Sequence, residues 1–419
     1  MKDIVLMFEV HQPFRINKLL DLPANGGRSL SAEQLNDLYF DTALNKEVLE
    51  RAAAKCYLPS NGVLLDEIER FKDADGGFKV AFSISGTFLE QCVLWKPEVV
   101  ESFRALANTG RVEFLGQTYH HSLASLFQGD TEFLDQVRLH RKTIRKHFGV
   151  DTSFFENTEF LYSNNIARLV EKAGYSGIYT EGIERILGWR SPNYVYRPKG
   201  TERMKMLLRN YGLSDDIGFR FSSRWWSEWP LTADKYAAWL NATSGQCISI
   251  CLDYETFGEH HWPESGIREF LRHLPREVLK HDGMRFSTPS ETSERWEAAD
   301  EIDVPDEAPI SWADIERDTG AWLGNEMQRS VFAGLERLGP IVKGQGDVEL
   351  LDLWRKLQVS DNFYYMFTGS GGPGIVHSYF SPMDSPLGGY IAFSNILLDL
   401  SMRTSHMSER GGGTGGKGR

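Results

Sequence analysis

Short apolar runs rich in β-branched and aromatic residues recur along the chain at 4–9, 80–85, 112–116, 153–156, 177–180, 217–221 and 247–253. Each is bounded by polar or glycine positions, and runs of that length read as buried parallel strands. Residues 284–287 could supply an eighth. Between these runs, residues 96–107, 131–148 and 165–173 repeat their apolar positions at helical spacing. Pro97 suits a first helical turn, and Gly174 suits a helix stop. Strand and helix alternate, which is the pattern of an α/β fold. The stretch 297–309 is acidic, holds two prolines and reads as a linker. After it the strand signal fades, and 311–338, 347–357 and 388–402 carry helical periodicity. Ser311 is placed as an N-cap, with Asp314 three residues later, close to a capping box. The organisation expected is a β/α barrel domain at 1–296, a linker at 297–309, a helical C-terminal domain at 310–405 and a disordered, glycine-rich tail at 406–419.

A closed barrel fits better than an open sheet because polar groups end run after run: His11 the first, His120 and His121 the third, Glu156 and Glu159 the fourth, Asp253 the last. In a barrel such strand ends converge on one mouth, where reactive groups gather.

The chain has 419 residues, 41% hydrophobic and 25% charged, an ordinary globular balance. Its net charge of −12 makes nucleic acid and anionic membranes poor partners and leaves neutral ligands open. Eleven Trp, 15 Tyr and 25 Phe supply flat faces that suit the apolar C–H faces of sugar rings, although most such residues serve a core. Cys56, Cys92, Cys247 and Cys251 form no C-x-x-C pair and read as free, buried thiols of a reducing compartment, hence a cytoplasmic protein. The N-terminus lacks a basic region and a small-residue cleavage site, so no signal peptide is expected. No run approaches the roughly 20 apolar residues of a membrane span.

Four clusters carry the chemistry. His11-Gln12-Pro13 offers hydrogen-bonding groups at a strand end, either for a ligand hydroxyl or for a capped turn. Gly116 opens a polar and aromatic stretch through His120 and His121, with no H-x-x-x-H or H-x-E spacing for a metal. Glu156 and Glu159 lie three apart among aromatics, surroundings that can make one carboxyl an acid and another a nucleophile, or simply pair one with an arginine. Asp253 ends an apolar strand, followed by Tyr254, Glu255 and a dense polar-aromatic loop through Glu259, His260 and His261.

The runs FEVHQP, GQTYHHSL, ENTEFLY, LDYETFGEHH and SWADIERDTGAWLGNEMQ, in that order from residue 8 to residue 328, resemble glycoside hydrolase family 57, most of all its α-amylase branch. The resemblance implies an incomplete seven-stranded β/α barrel followed by a helical domain, and retention of anomeric configuration. It implies Glu159 as nucleophile and Asp253 as acid/base, with no cofactor or metal. Around them, His11, Gln12, His120, His121, Tyr254, Glu255, Trp312 and Trp322 are the expected sugar-binding residues. The expected partner is an α-glucan oligosaccharide or polysaccharide, and the sequence does not set an oligomeric state. The same residues would serve a 4-α-glucanotransferase. A catalytically silent glucan-binding protein and a metal-dependent polysaccharide deacetylase using His11, His120 or His121 and Asp253 are the other readings; the second lacks a T-F-D-D type of metal motif.

Overall fold

The computed structural model describes residues 1–18, 20, 30–74, 76–369 and 381–411, with side chains as far as 405. Of the tail expected at 406–419, residues 412–419 lie outside the described residues. In chain order the strands are β1 (Lys2–Val10), β2 (Val80–Ile84), β3 (Val112–Phe114), β4 (Phe154–Phe155), β5 (Gly177–Glu181), β6 (Arg197–Pro198), β7 (Lys205–Arg209), β8 (Cys247–Asp253), β9 (Met284–Phe286) and β10 (Glu301–Ile302). Seven of them run β3-β2-β1-β8-β7-β5-β4, all parallel, and β9 pairs with the first residues of β1. A parallel bridge between Gly116 and Phe155 joins the two outer strands, so the sheet is a nearly closed barrel. There the Gly116 amide donates to the Phe154 carbonyl (2.8 Å) and the Glu156 amide to the Gly116 carbonyl (2.9 Å). The fold is therefore the expected α/β one, a seven-stranded β/α barrel with a helical C-terminal region.

The pleat explains why the strands are apolar on both faces. In β1, Ile4, Leu6, Phe8 and Val10 pack into the layer of helices, while Val5 and Met7 fill the barrel interior. Cys247 and Cys251 line the same interior, and all four cysteines are buried and free. The helices Pro97–Asn108, Asp130–Phe148 and Asn164–Lys172 form where their periodicity placed them. Ser163 caps the last, and Gly149 and Gly174 stop two of them at φ 73° and 89°. At the N-terminal end of β1 the fully buried Asp3 is bonded by Arg285 (2.6 Å), Arg295 (2.6 Å) and the Trp296 indole (3.0 Å).

Three expectations are corrected. The run 217–221 is not a strand: Asn210 caps a helix, Tyr211–Gly218, that carries Ile217 into the outer core. The strand is Lys205–Arg209, whose terminal Lys and Arg disguise a short apolar run. Ser311 does not cap a helix, because the chain there is held extended by pairing of Ile310 with Tyr162 and by the Trp312 amide on the Glu159 carbonyl. The first long helix beyond it, Glu326–Gln345, starts at a capping box of Asn325 and Gln328. Nor is 297–309 a loose linker: β10 pairs with β6, Asn164 donates to the Val304 carbonyl, and Asp306 accepts from the Asn165 amide.

The chain divides into two compact units. The first holds the barrel, Met1–Gln12, Lys46–Tyr119 and Gly129–Trp312. The second holds Pro13–Asn45 and His120–Gln128 besides Ala313–Arg419. It is helical, with Ala32–Tyr39, Glu326–Gln345, Val348–Lys356 and Pro386–Gly411 as main elements. Its core gathers Phe127, Phe332, Phe363 and Phe393 in edge-on or tilted contacts, and Tyr39 donates to Asp399 (2.6 Å).

A methyl group at Gly116 would overlap the buried Tyr175 ring, which is itself held by a hydrogen bond to Thr152. Gly116→Ala should therefore destabilise the barrel by about 1–3 kcal/mol, the usual cost of overpacking. Urea unfolding followed by tryptophan fluorescence measures it, and an unchanged midpoint would contradict this closure.

Candidate active site

The inward positions at the C-terminal ends of the strands are polar. Glu9 follows Val5 and Met7 on the interior side of β1 and stands in register with Ser83 of β2 and Asp253 of β8. Glu9 is only 2% exposed. Burial raises its carboxyl pKa well above the usual range, and the nearby charges of Glu156, Glu159, Asp253 and Glu255 push the same way. Asp253 is half-buried at the last position of β8, where the chain enters the turn Tyr254–Phe257.

Glu159 is placed by a strained turn. After β4, the fully buried Glu156 accepts from the Ser83 hydroxyl (2.8 Å), which in turn accepts from the Gln117 amide group (2.8 Å). Its other oxygen receives the Phe160 amide (3.4 Å), so Glu156 ties the turn to the barrel wall. Glu159 and Phe160 both adopt left-handed backbone, φ 59° and 54°. Such conformations cost a non-glycine residue on the order of 1–3 kcal/mol and persist only when neighbours enforce them. Here the Trp312 indole N–H donates to Glu159 Oε2 (2.9 Å), its backbone amide bonds the Glu159 carbonyl (3.2 Å), and its ring stacks on Phe160 at 4.6 Å. The Arg209 guanidinium lies over the same indole at 5.5 Å. Arg209 is buried between Glu181 (2.9 Å) and Asp215. Burial works against its charge, but the two carboxylates outweigh this and raise its pKa. Among the described residues, the non-glycine positions with positive φ are His121, Glu159, Phe160, Asp314 and Arg317, all inside the sequence runs singled out above.

Around Asp253, Glu255 is buried and accepts from the Tyr57 hydroxyl, which accepts from Gln12 (3.0 Å). Burial, then the charge of Asp253, pushes Glu255 up to about 8. His11 Nδ1 meets the Ser85 hydroxyl at 2.7 Å. Tyr254 departs from expectation: as the first residue of the turn after β8 it faces outward, where its ring packs on Phe8 and Phe82 and its hydroxyl donates to Asn61 (2.7 Å). It is a core residue here and does not join the carboxyl cluster.

His120, His121 and Trp322 belong to the second unit. His120 is buried, which lowers its pKa to about 3, against a smaller opposing effect of Asp352. His121 accepts from the Ser360 amide through its carbonyl (3.0 Å), and Trp322 is 1% exposed. His261 is also buried, bonded to Ser222 (2.8 Å) and to the Ile217 and Gly218 carbonyls. Among the described residues, no group of three or more His, Cys, Asp or Glu is disposed to hold a metal ion, and no helix is long and apolar enough to cross a membrane.

Sequence reasoning missed Glu9, Ser83 and Arg209. Glu9 was visible as a lone charge inside an apolar run, in phase with the interior positions of β1. Arg209 was hidden because its strand was assigned elsewhere.

The sequence model of "Glycosyl hydrolase family 57" matches residues 5–305. The "Putative alpha-amylase" of Methanocaldococcus jannaschii is 47% identical over 405 residues, 95% of this chain and 84% of that protein. Among solved structures, a 4-α-glucanotransferase from Thermococcus litoralis superposes with a TM-score of 0.68 at 16% identity. The match covers 96% of this chain, which spans 59% of the length of that structure. A GH57-type branching enzyme from Pyrococcus horikoshii gives a TM-score of 0.68 at 14% identity, over 98% of this chain and 92% of the other.

Glu255 yields a test of this electrostatic description. In the fold it keeps its proton up to about pH 8, whereas an unfolded glutamate releases it near 4.5. Its contribution to stability is therefore full below the unfolded value and is lost as pH rises toward the folded one. Glu255→Gln should reduce the fall in thermal midpoint between about pH 5 and pH 8. An equal fall in both proteins would mean that Glu255 is charged in the fold.

Proposed function

The chain belongs to glycosyl hydrolase family 57, and from that membership we propose that it hydrolyses α-1,4-glucans with retention, using Glu159 as nucleophile and Asp253 as acid/base. The observation that carries the reading is the fixing of Glu159. A half-buried carboxylate on a strained turn, held by an indole N–H, is preorganised to meet a reacting carbon. Asp253 suits the other role. It ends β8 in register with Glu9 and beside Glu255, at the same end of the barrel, where a side chain can deliver and retrieve a proton.

In the first step Asp253 gives its proton to the glycosidic oxygen as the C1–O bond breaks, and a Glu159 oxygen bonds to C1. Water then attacks C1, Asp253 takes a proton from it, and the bond to Glu159 breaks. Such double displacement works with carboxyl groups roughly 5–5.5 Å apart. His11 and Gln12 are the candidates in the first unit for binding sugar hydroxyls, and Trp312 serves Glu159. His120, His121 and Trp322 lie in the second unit.

Incubation with maltoheptaose and amylose, with products resolved over time, tests the reading. Shorter sugars alone mean hydrolysis, and longer ones beside them mean that a sugar hydroxyl replaces water. Glu159→Gln and Asp253→Asn should each abolish turnover; near wild-type rates in either would refute the assignment. Trp312→Phe removes the donor to Glu159. It should lower kcat on the order of tenfold or more, with little change in KM, and move the acidic limb of the pH–rate profile to higher pH. A raised KM with an unmoved limb would make Trp312 a sugar contact only.

A further inference from the structure

The chain has 11 tryptophans, and four are exposed: Trp189 (92%), Trp225 (84%), Trp262 (61%) and Trp229 (43%). The others are half-buried or buried. The exposed four are not scattered. Trp189 lies on the connection leaving β5, Trp225 and Trp229 on that leaving β7, and Trp262 on that leaving β8. These strands are consecutive neighbours in the barrel. Their connections are fastened together: Tyr211 donates to Glu184, and His261 bonds Ser222 and the Ile217 and Gly218 carbonyls. The loop that begins at Asp253 and Glu255 ends at Trp262, so this stretch of aromatic loops is continuous with the carboxyl cluster.

We propose that these tryptophans form a docking surface for an α-glucan chain that extends beyond the bond being cleaved. The inference rests on the α-glucan reading and adds where a long substrate is held. Several exposed indoles on adjoining loops are the kind of surface that marks a ligand-binding face, and their flat faces match the C–H faces of glucose rings. Two of the rings are held by cations, Trp262 with Lys55 over it at 4.9 Å and Trp229 with Arg224 over it at 5.8 Å. The residues flanking these rings are polar, among them Arg224 and Ser227, which favours a hydroxylated ligand over a lipid or an apolar protein face. The charges are largely answered within the protein, Arg220 by Asp216 (2.7 Å) and Glu228 by Lys235 (2.7 Å), which suits a neutral polymer.

The test compares the wild-type protein with the triple variant Trp189→Ala, Trp225→Ala, Trp262→Ala, all three at surface positions. On amylose the variant should show KM raised roughly five- to tenfold, the effect of lost stacking on several rings, while rates on maltotriose or maltotetraose stay within about twofold. Electrophoresis through gels containing amylose reads binding without turnover: the wild type should be retarded and the variant should not. An unchanged amylose KM with short glucans still processed, or equal migration of the two proteins, overturns the docking surface and leaves the function standing. Absence of turnover on every glucan overturns the function, and the gel still decides the surface. A wild-type dimer that the variant converts to monomer, without loss of amylose retardation, assigns the face to a second copy and overturns the proposal.

Discussion

The register between β1 and β8 is the constraint on which the site depends. Seven consecutive pairs, from Asp3–Cys247 to Glu9–Asp253, lock two strands that are buried on both faces. A slip of one residue between them would turn one of the two strands over, bringing Phe8 inward in place of Glu9 or Leu252 inward in place of Asp253 and moving that carboxyl into the apolar helix layer. The core therefore forbids the slip, and in doing so it sets two carboxyls side by side at the barrel's C-terminal end.

The same strand shows how a barrel treats a buried acid according to its use. Asp3 and Glu9 both lie in β1 and both are almost wholly shielded from water. Asp3 meets two guanidinium groups and an indole N–H, which satisfy a carboxylate and knit the N-terminal end. Glu9 stands among further carboxyls, where ionisation is resisted. An arrangement that opposes charge is unfavourable for stability, and so is left-handed backbone at Glu159 and Phe160. Both persist because the surrounding elements over-determine them: Ser83, Gln117 and Glu156 from the wall, Trp312 and Arg209 beside the turn. Concentrated strain and crowded acids at strand ends are the marks of a reacting site rather than of a fold seeking its lowest energy.

Trp312 links these themes. Its indole edge holds Glu159, its face stacks on Phe160, and Arg209 lies over it, anchored by Glu181 and Asp215. A residue that the sequence suggests as a sugar platform thus has all its prominent contacts to the protein. The tryptophans that do present themselves to solvent lie on other loops, at positions where no strand or helix periodicity operates.

By itself the sequence determined the strands and helices of the barrel, because runs such as KDIVLMFEV and the amphipathic stretch Asn164–Lys172 admit one way of burying their apolar positions. It also carried the family, since five motif runs in order leave little freedom. It failed where local pattern and tertiary contact disagree. Residues 217–221 look like a strand but begin as the last turn of the helix that Asn210 caps, and Ser311 looks like a helix start but follows the pairing of Ile310 with Tyr162 and precedes the bond of Trp312 to Glu159. Which way a side chain points was decided only by the folded structure. Tyr254 sits next to Asp253 in sequence, yet the turn that follows β8 sends it to the outer core, while Glu9, 244 positions away, becomes the neighbour of Asp253 through the ladder. Nearness in a barrel follows the register between strands, and that register is a property of the whole packed sheet.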